Sequence, residues 1–155
     1  MLLEQIINKT IEFYSKNKIA YIEKNCVPVN FKNVSKNEER IKVKGTIKQK
    51  STVDYYGCYQ GKFIAFEAKM TKSNRLEKTS VKTHQMNYLN KIEENGGIGF
   101  YVIYFFVQNK FFIISSIKLK KLNEEGSLSF EIIKKHSKEV PITFPGVLDF
   151  ICYLV

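Results

Sequence analysis

The sequence predicts an α/β fold, a mixed β-sheet flanked by helices. Three observations carry that prediction. Leu3, Ile6, Ile7, Thr10, Ile11 and Tyr14 recur at helical spacing. Val53 to Tyr59 and Lys62 to Lys69 are rich in aromatic, β-branched and apolar residues and flank Gln60-Gly61, which reads as two strands joined by a two-residue turn. Ile98 to Val107 is almost continuously apolar, as a central strand covered on both faces requires. At 155 residues and 44% apolar content, the chain reads as one domain over 1–155, large enough for a real core.

The elements follow in order. Residues 2–16 read as an amphipathic helix, with Glu4 on the border of its apolar stripe, where a carboxylate can reach a site beside the core. Ile19 to Glu23 and Val27 to Val34 read as extended segments around Asn25 and Pro28. Residues 32–50 set Lys32, Lys36, Arg40, Lys42, Lys44, Lys48 and Lys50 against Glu38 and Glu39, with no aromatic and only Val34, Ile41, Val43 and Ile47 apolar. That segment cannot add core, so it reads as a protruding ribbon or mobile loop, either a solvated charge run or a nucleic-acid contact element. After the hairpin, 71–80 is polar and basic through Lys72, Arg75 and Lys78. A helix capped at or near Ser80 follows and stops at Asn95-Gly96-Gly97. Met86, Leu89 and Ile92 form its inward side, which Gln85 borders. Gln108-Asn109-Lys110 turns the central strand into an antiparallel strand from Phe111 to Ser115. Beyond lie a basic patch from Lys118 to Lys121, a polar stretch, and Val147 to Leu154 as a short helix.

The net charge of +10, with pI near 9.4, favours a polyanionic partner, nucleic acid ahead of an anionic membrane. Cys26, Cys58 and Cys152 are widely spaced and form no Cys-x-x-Cys pair, so neither a disulfide framework nor a zinc motif follows. No signal-peptide pattern opens the sequence, and the apolar run at 98–107 is too short to cross a bilayer as a helix. Cytoplasmic residence and no membrane partner are expected.

Chemistry enters through the register of the hairpin. If Tyr59 pairs with Lys62, Asp54 falls opposite Glu67 and Thr52 opposite Lys69. Opposed residues share a face, as do residues two apart on one strand. Thr52, Asp54, Glu67 and Lys69 then make one polar patch, while Val53, Tyr55, Ile64, Phe66 and Ala68 face a core. A three-residue loop would instead turn Glu67 to the other face. Two carboxylates this close repel unless a cation or a shared proton relieves them. Such oxygen donors suit Mg²⁺ or Mn²⁺, and Lys69 stands where it can orient or deprotonate a water. The pattern points to a metal-dependent nuclease site; the plainer reading is an exposed hairpin with cross-strand charge pairs.

The order of helix, strand, strand, hairpin bearing Asp and Glu-x-Lys, helix with Gln, then two strands resembles the PD-(D/E)xK nuclease superfamily. Within it, the chain looks like the RecU-type Holliday junction resolvases of low-GC Gram-positive bacteria and their phages. The residues that carry this are Ser51-Thr52-Val53-Asp54-Tyr55, Gly57, Tyr59, Gly61-Lys62, Phe66-Glu67-Ala68-Lys69, Thr71-Lys72, His84-Gln85 and Gly96-Gly97-Ile98. The resemblance covers about residues 2 to 115. It implies a restriction-endonuclease-like fold and a homodimer that binds four-way junction DNA. Such a dimer nicks two opposed strands with Mg²⁺ or Mn²⁺, in recombination and repair.

By position, the resemblance makes Asp54 and Glu67 metal ligands, with Thr52 supporting the metal site and Lys69 assisting the nucleophile. Glu4 matches an acidic residue that often completes the site, and Gln85 the helix glutamine that orders it. The 32–50 segment matches the stalk inserted at the junction centre. Lys36, Arg40, Lys42, Lys44, Lys48, Lys50, Lys72, Arg75 and Lys78 are the DNA-binding candidates. The chain departs from the pattern in having its motif helix begin almost at Met1 and in lacking the proline before Asp54. A nuclease for other DNA structures and a non-catalytic DNA-binding protein of the same fold are the competing expectations. His84 touches phosphate or is structural or solvated; Tyr55, Tyr56 and Tyr59 stack on nucleotides or pack.

Overall fold

The structure, a computed structural model, describes residues 2–26, 29–37, 40–47 and 52–154. In chain order its elements are helix α1 (Leu2–Lys16), strands β1 (Tyr21–Lys24), β2 (Val29–Asn37), β3 (Arg40–Ile47), β4 (Tyr55–Tyr59) and β5 (Lys62–Thr71), and helix α2 (Thr83–Glu94). Then come β6 (Ile98–Phe105), β7 (Lys110–Ser115), helices α3 (Ser116–Glu125) and α4 (Phe130–His136), and the short strands β8 (Lys138–Glu139), β9 (Ile142–Thr143) and β10 (Val147–Leu148). Six strands form one sheet in the order β1-β4-β5-β6-β7-β8. Its neighbours are antiparallel except β5 and β6, whose parallel pairing needs the crossover that α2 supplies.

The hairpin register is the predicted one. Tyr59 pairs with Lys62 and Tyr55 with Phe66, across a turn whose Gln60 and Gly61 have φ of 48° and 76°. Two successive residues at positive φ match the right-handed twist of the flanking strands. Gly57 lets β1 approach: a Cβ there would lie 2.0 Å from the Tyr21 carbonyl oxygen.

Each face of the sheet buries its own cluster. On one, Leu3, Ile7 and Tyr14 of α1 pack with Tyr55, Ile64, Phe66, Phe100, Val102 and Phe150. On the other, Leu89 of α2, Leu119 of α3 and Ile133 of α4 pack with Ala65, Tyr101, Ile103 and Phe112. Every fully covered Phe or Leu stabilises the fold by about 1.5–3 kcal/mol. β6 is covered on both sides, which explains its unbroken apolar run. No helix among the described residues is long and apolar enough to cross a membrane.

Several expectations change. Val53 packs not beside Tyr55 but in the opposite cluster with Ala65 and Leu89, because β4 begins only at Tyr55 and strand alternation does not extend back to it. Ser80 does not cap α2. It ends a 3₁₀ turn with its hydroxyl donated to the Glu77 carbonyl, and α2 starts at Thr83 behind Lys82. Two readings hold: the segment expected to be extended at 27–34 is strand from Val29, and the basic stretch forms a ribbon, Val29–Asn37 pairing with Arg40–Ile47 as a two-stranded antiparallel sheet apart from the six-stranded one. The polar stretch after 115 contains two helices, and 147–154 is a strand pair with β9 followed by a 3₁₀ turn at Ile151–Tyr153 rather than a helix.

Candidate active site

Asp54 stands one residue before β4. The Asn25 amide donates to the Asp54 carbonyl at 2.7 Å, and the Asn25 side chain donates to the Val53 carbonyl at 3.0 Å. The backbone entering the site is thereby fixed. From there Asp54 and Glu67 lock onto each other's strands. The Asp54 amide donates to Glu67 Oε2 at 3.0 Å, and the Ala68 amide donates to Asp54 Oδ2 at 3.1 Å. The expected juxtaposition of Asp54 and Glu67 is present.

Glu67 is 2% exposed, an unusual depth for a carboxylate unless it is paired. Its Oε1 accepts from Lys69 Nζ at 2.8 Å and from Gln85 Nε2 at 2.7 Å, while Lys69 Nζ also donates to Gln85 Oε1 at 3.2 Å. These three side chains close a ring of charge-assisted hydrogen bonds. The approach of α2 makes the ring possible. A Cβ on Gly99 would lie 2.5 Å from the Leu89 carbonyl oxygen, so only glycine lets the helix sit this close, and Leu89 is one turn beyond Gln85.

The electrostatics follow from this burial. Loss of solvent raises the Glu67 pKa above the usual carboxylate range, and the charge of Asp54 raises it further; Lys69 pulls the other way. Burial pushes the Tyr55 phenol up to about 12, with added contributions from Asp54 and Glu67. Tyr101 aligns with Glu67 across the parallel β5–β6 ladder. Burial, then the Glu67 charge, drives its phenol upward, and its hydroxyl is buried without a hydrogen-bond partner among the described residues. The sequence gives Tyr101 and Asn25 no role in the site: Asn25 reads only as a break between extended segments, and Tyr101 shares β6 with a second tyrosine, Tyr104.

The other candidates make contacts of their own. Thr52 is exposed, 3.4 Å from the Asn25 side chain; the ladder ends before it, so the pairing with Lys69 does not form. Glu4 forms an ion pair with Lys24. No third His, Cys, Asp or Glu joins Asp54 and Glu67 in a metal-holding group among the described residues. Lys72, Arg75 and Lys78 are exposed on the segment after β5. Lys36, Arg40, Lys42 and Lys44 lie along the backbone of the β2–β3 ribbon, and Lys48 and Lys50 fall outside the described residues. His84 is exposed, and Tyr55 stacks on Phe66 at 4.8 Å.

The donor set fits a hard divalent cation. Among the described residues Asp54 Oδ1 has no hydrogen-bond partner, and Glu67 Oε2 accepts from the Asp54 amide alone. A carboxylate oxygen has capacity for a second interaction. Two carboxylates suffice for Mg²⁺, which keeps several waters and shares substrate phosphate.

A family model described as RecU, Recombination protein U, matches residues 1–155. The chain belongs to the RecU family. Its match runs through 116–155, beyond the stretch where sequence motifs alone carry the resemblance. Over 151 residues the chain is 42% identical to the Holliday junction resolvase RecU of Mycoplasmopsis pulmonis, covering 97% of this chain and 90% of that one. The Holliday junction resolvase RecU of Ureaplasma parvum is 37% identical over 153 residues, covering 97% and 88%. Among solved structures, the Holliday junction resolvase Hjc of Archaeoglobus fulgidus aligns over 84% of this chain and 98% of its own, with TM-score 0.47 and 9% identity.

Proposed function

We propose that this RecU-family chain is a homodimeric endodeoxyribonuclease that resolves four-way DNA junctions in the cytoplasm during recombination and repair, with Mg²⁺ or Mn²⁺ held by Asp54 and Glu67. The observation that carries the reading is the closed network of Glu67, Lys69 and Gln85 beside Asp54. Relatives named as Holliday junction resolvases support the choice of substrate.

The reaction is phosphodiester hydrolysis: water adds to phosphorus, the bond to one sugar oxygen breaks, and that oxygen takes a proton. The chemistry a divalent ion supplies at such a pair is positive charge on the scissile phosphate and a more acidic water. The role proposed for Lys69 is supported by its hydrogen bonds. An ammonium carries three donors, and two are taken by Glu67 Oε1 and Gln85 Oε1. The third, without a partner among the described residues, is available to the attacking water or a phosphate oxygen, where it would offset developing negative charge. Gln85 fixes the direction of that donor by holding both partners. Exposed Lys72, Arg75 and Lys78 supply phosphate contacts, which set register and make affinity fall steeply with salt. Two opposed cuts need two sites at fixed separation, which a two-fold dimer provides.

The test uses a labelled four-way junction and a linear duplex of the same sequence, with Mg²⁺, Mn²⁺ or EDTA, beside Asp54→Asn. Paired symmetric nicks in the junction, lost in EDTA and in the variant, are expected. Equal cutting of duplex would remove the junction selectivity. Tight junction binding without metal-dependent cutting would replace the nuclease with a DNA-binding module.

A further inference from the structure

The turn between β6 and β7 presents an apolar tip that no role described above uses. Phe106 is 46% exposed and Val107 66% exposed, at the end of the sheet toward which β5 runs beyond Glu67 and Lys69. The tip is held firmly. The Phe106 amide donates to the Thr71 carbonyl at 2.9 Å, and the Asn109 amide donates to the Phe106 carbonyl at 3.2 Å. The Tyr104 hydroxyl donates to Asn109 Oδ1 at 3.0 Å, and the Gln108 side chain donates to the Asn74 side chain. The ring of Phe106 meets Tyr104 edge-on at 6.1 Å, and the Lys72 ammonium lies 5.8 Å from its centroid. Arg75 is exposed four residues after Thr71.

Resting on the junction-cutting reading, we propose that Phe106 and Val107 form a nucleobase-stacking tip that holds one destacked base of the DNA branch beside the cut. Aromatic and aliphatic side chains bind bases without sequence preference, because every base has a π-face, and apolar side chains wedge between base steps. The Lys72 ammonium against the Phe106 ring attracts phosphate to the tip. Two apolar side chains fall far short of the roughly 800 Å² per partner of a stable protein interface. The strand sets the spacing. Thr71 lies four residues beyond Glu67 on β5, about 13 Å at about 3.3 Å per residue. That corresponds to about four nucleotides at about 3.4 Å per step along one strand.

The experiment compares wild type with Phe106→Ala/Val107→Ser on a four-way junction carrying thymines at each position near the cut. It reads permanganate reactivity of those thymines in Ca²⁺, cleavage rate in Mg²⁺, the salt dependence of binding, melting temperature and mass in solution. Wild type is expected to expose a thymine about four nucleotides from the nick. The double variant should lose that exposure and bind the junction about tenfold more weakly, the scale of one base–aromatic contact. Its salt slope, melting temperature and mass should be unchanged. Unaltered thymine reactivity and cutting in the variant would overturn the tip while leaving the nuclease reading intact. A variant of smaller mass would make the tip a contact between copies and overturn it equally. A wild-type protein that cuts no DNA would remove the nuclease reading and the tip with it.

Discussion

Asp54→Asn should make the metal-free protein more stable while abolishing its function. The hairpin register sets Asp54 opposite Glu67, a placement with Cβ atoms about 4.5–5.5 Å apart. Two unit charges about 5 Å apart repel by roughly 3 kcal/mol at an effective dielectric constant near 20. Partial exposure of Asp54 and the Lys69 ion pair at Glu67 reduce this to a net gain of about 1 kcal/mol. The asparagine Oδ1 still accepts the Ala68 amide, so the hydrogen bond is kept. For a domain of this size that gain is about 2–4 °C in melting temperature. Scanning calorimetry in EDTA measures it. In Mg²⁺ or Mn²⁺ at about 100 times Kd the order reverses, because wild type gains roughly 2.7 kcal/mol from binding and the variant loses most of that. An Asp54→Asn protein that melts lower than wild type in EDTA, or that gains as much from metal, would refute the reasoning.

Other expectations follow from the same contacts. Gln85→Leu removes one hydrogen bond to the charge of Glu67 and one acceptor from Lys69; it should cost about 1.5–3 kcal/mol by denaturant titration and lower kcat more than junction affinity. Tyr101→Phe deletes a buried hydroxyl without a partner among the described residues; thermal melting should show no loss and up to about 1 kcal/mol of gain. The raised pKa of Glu67 fixes the sign of a pH effect: its protonated form favours the fold below the usual carboxylate pKa, and that stability is lost as pH rises through the raised value. In EDTA the melting-temperature advantage of Glu67→Gln over wild type should therefore widen from about pH 4.5 upward; an advantage that narrows contradicts the assignment. Gly99→Ala puts a Cβ against the Leu89 carbonyl and should cost about 1–3 kcal/mol along with cleavage activity, because α2 carries Gln85.

Much of this was legible because parity is discrete. Once Gln60-Gly61 is read as a two-residue turn, every pairing from Tyr55 to Phe66 follows, and Asp54 and Glu67 come together without further information. The α1 boundaries and Gln85 were legible for a similar reason, since helical spacing alone decides which side of the helix a residue borders. Helices α3 and α4 were not. They bury few residues, chiefly Leu119, Leu122 and Ile133, so no apolar period stands out over 10 and 7 residues. Their signals are local. Ser115 and Ser129 accept from the amides of Lys118 and Ile132, and Gly126 ends α3 at φ 88°. Val53 failed for the opposite reason: alternation was extended through two residues that no strand contains.

The site itself shows why its residues resist inference from the hairpin alone. Glu67 lies in a sheet interior where a lone carboxylate is costly, and what makes that position tenable comes from four separate places in the chain. Lys69 is local, two residues along β5, and Asp54 arrives across the turn. Gln85 arrives on a crossover helix, whose seat depends on the absence of a side chain at Gly99. Hydrogen bonds to Oε1 then compensate burial while leaving the Asp54 side of the pair mutually repulsive. A core built for stability would relieve that repulsion with an apolar residue. Here the conflict is held in place by Asn25, Ala68 and α2, so a divalent ion entering between the carboxylates gains the energy their separation would otherwise have released. In the proposed metal site, the repulsion that destabilises the metal-free pair would also favour a cation between the carboxylates, so a single substitution, Asp54→Asn, is expected to raise metal-free stability and lower metal affinity.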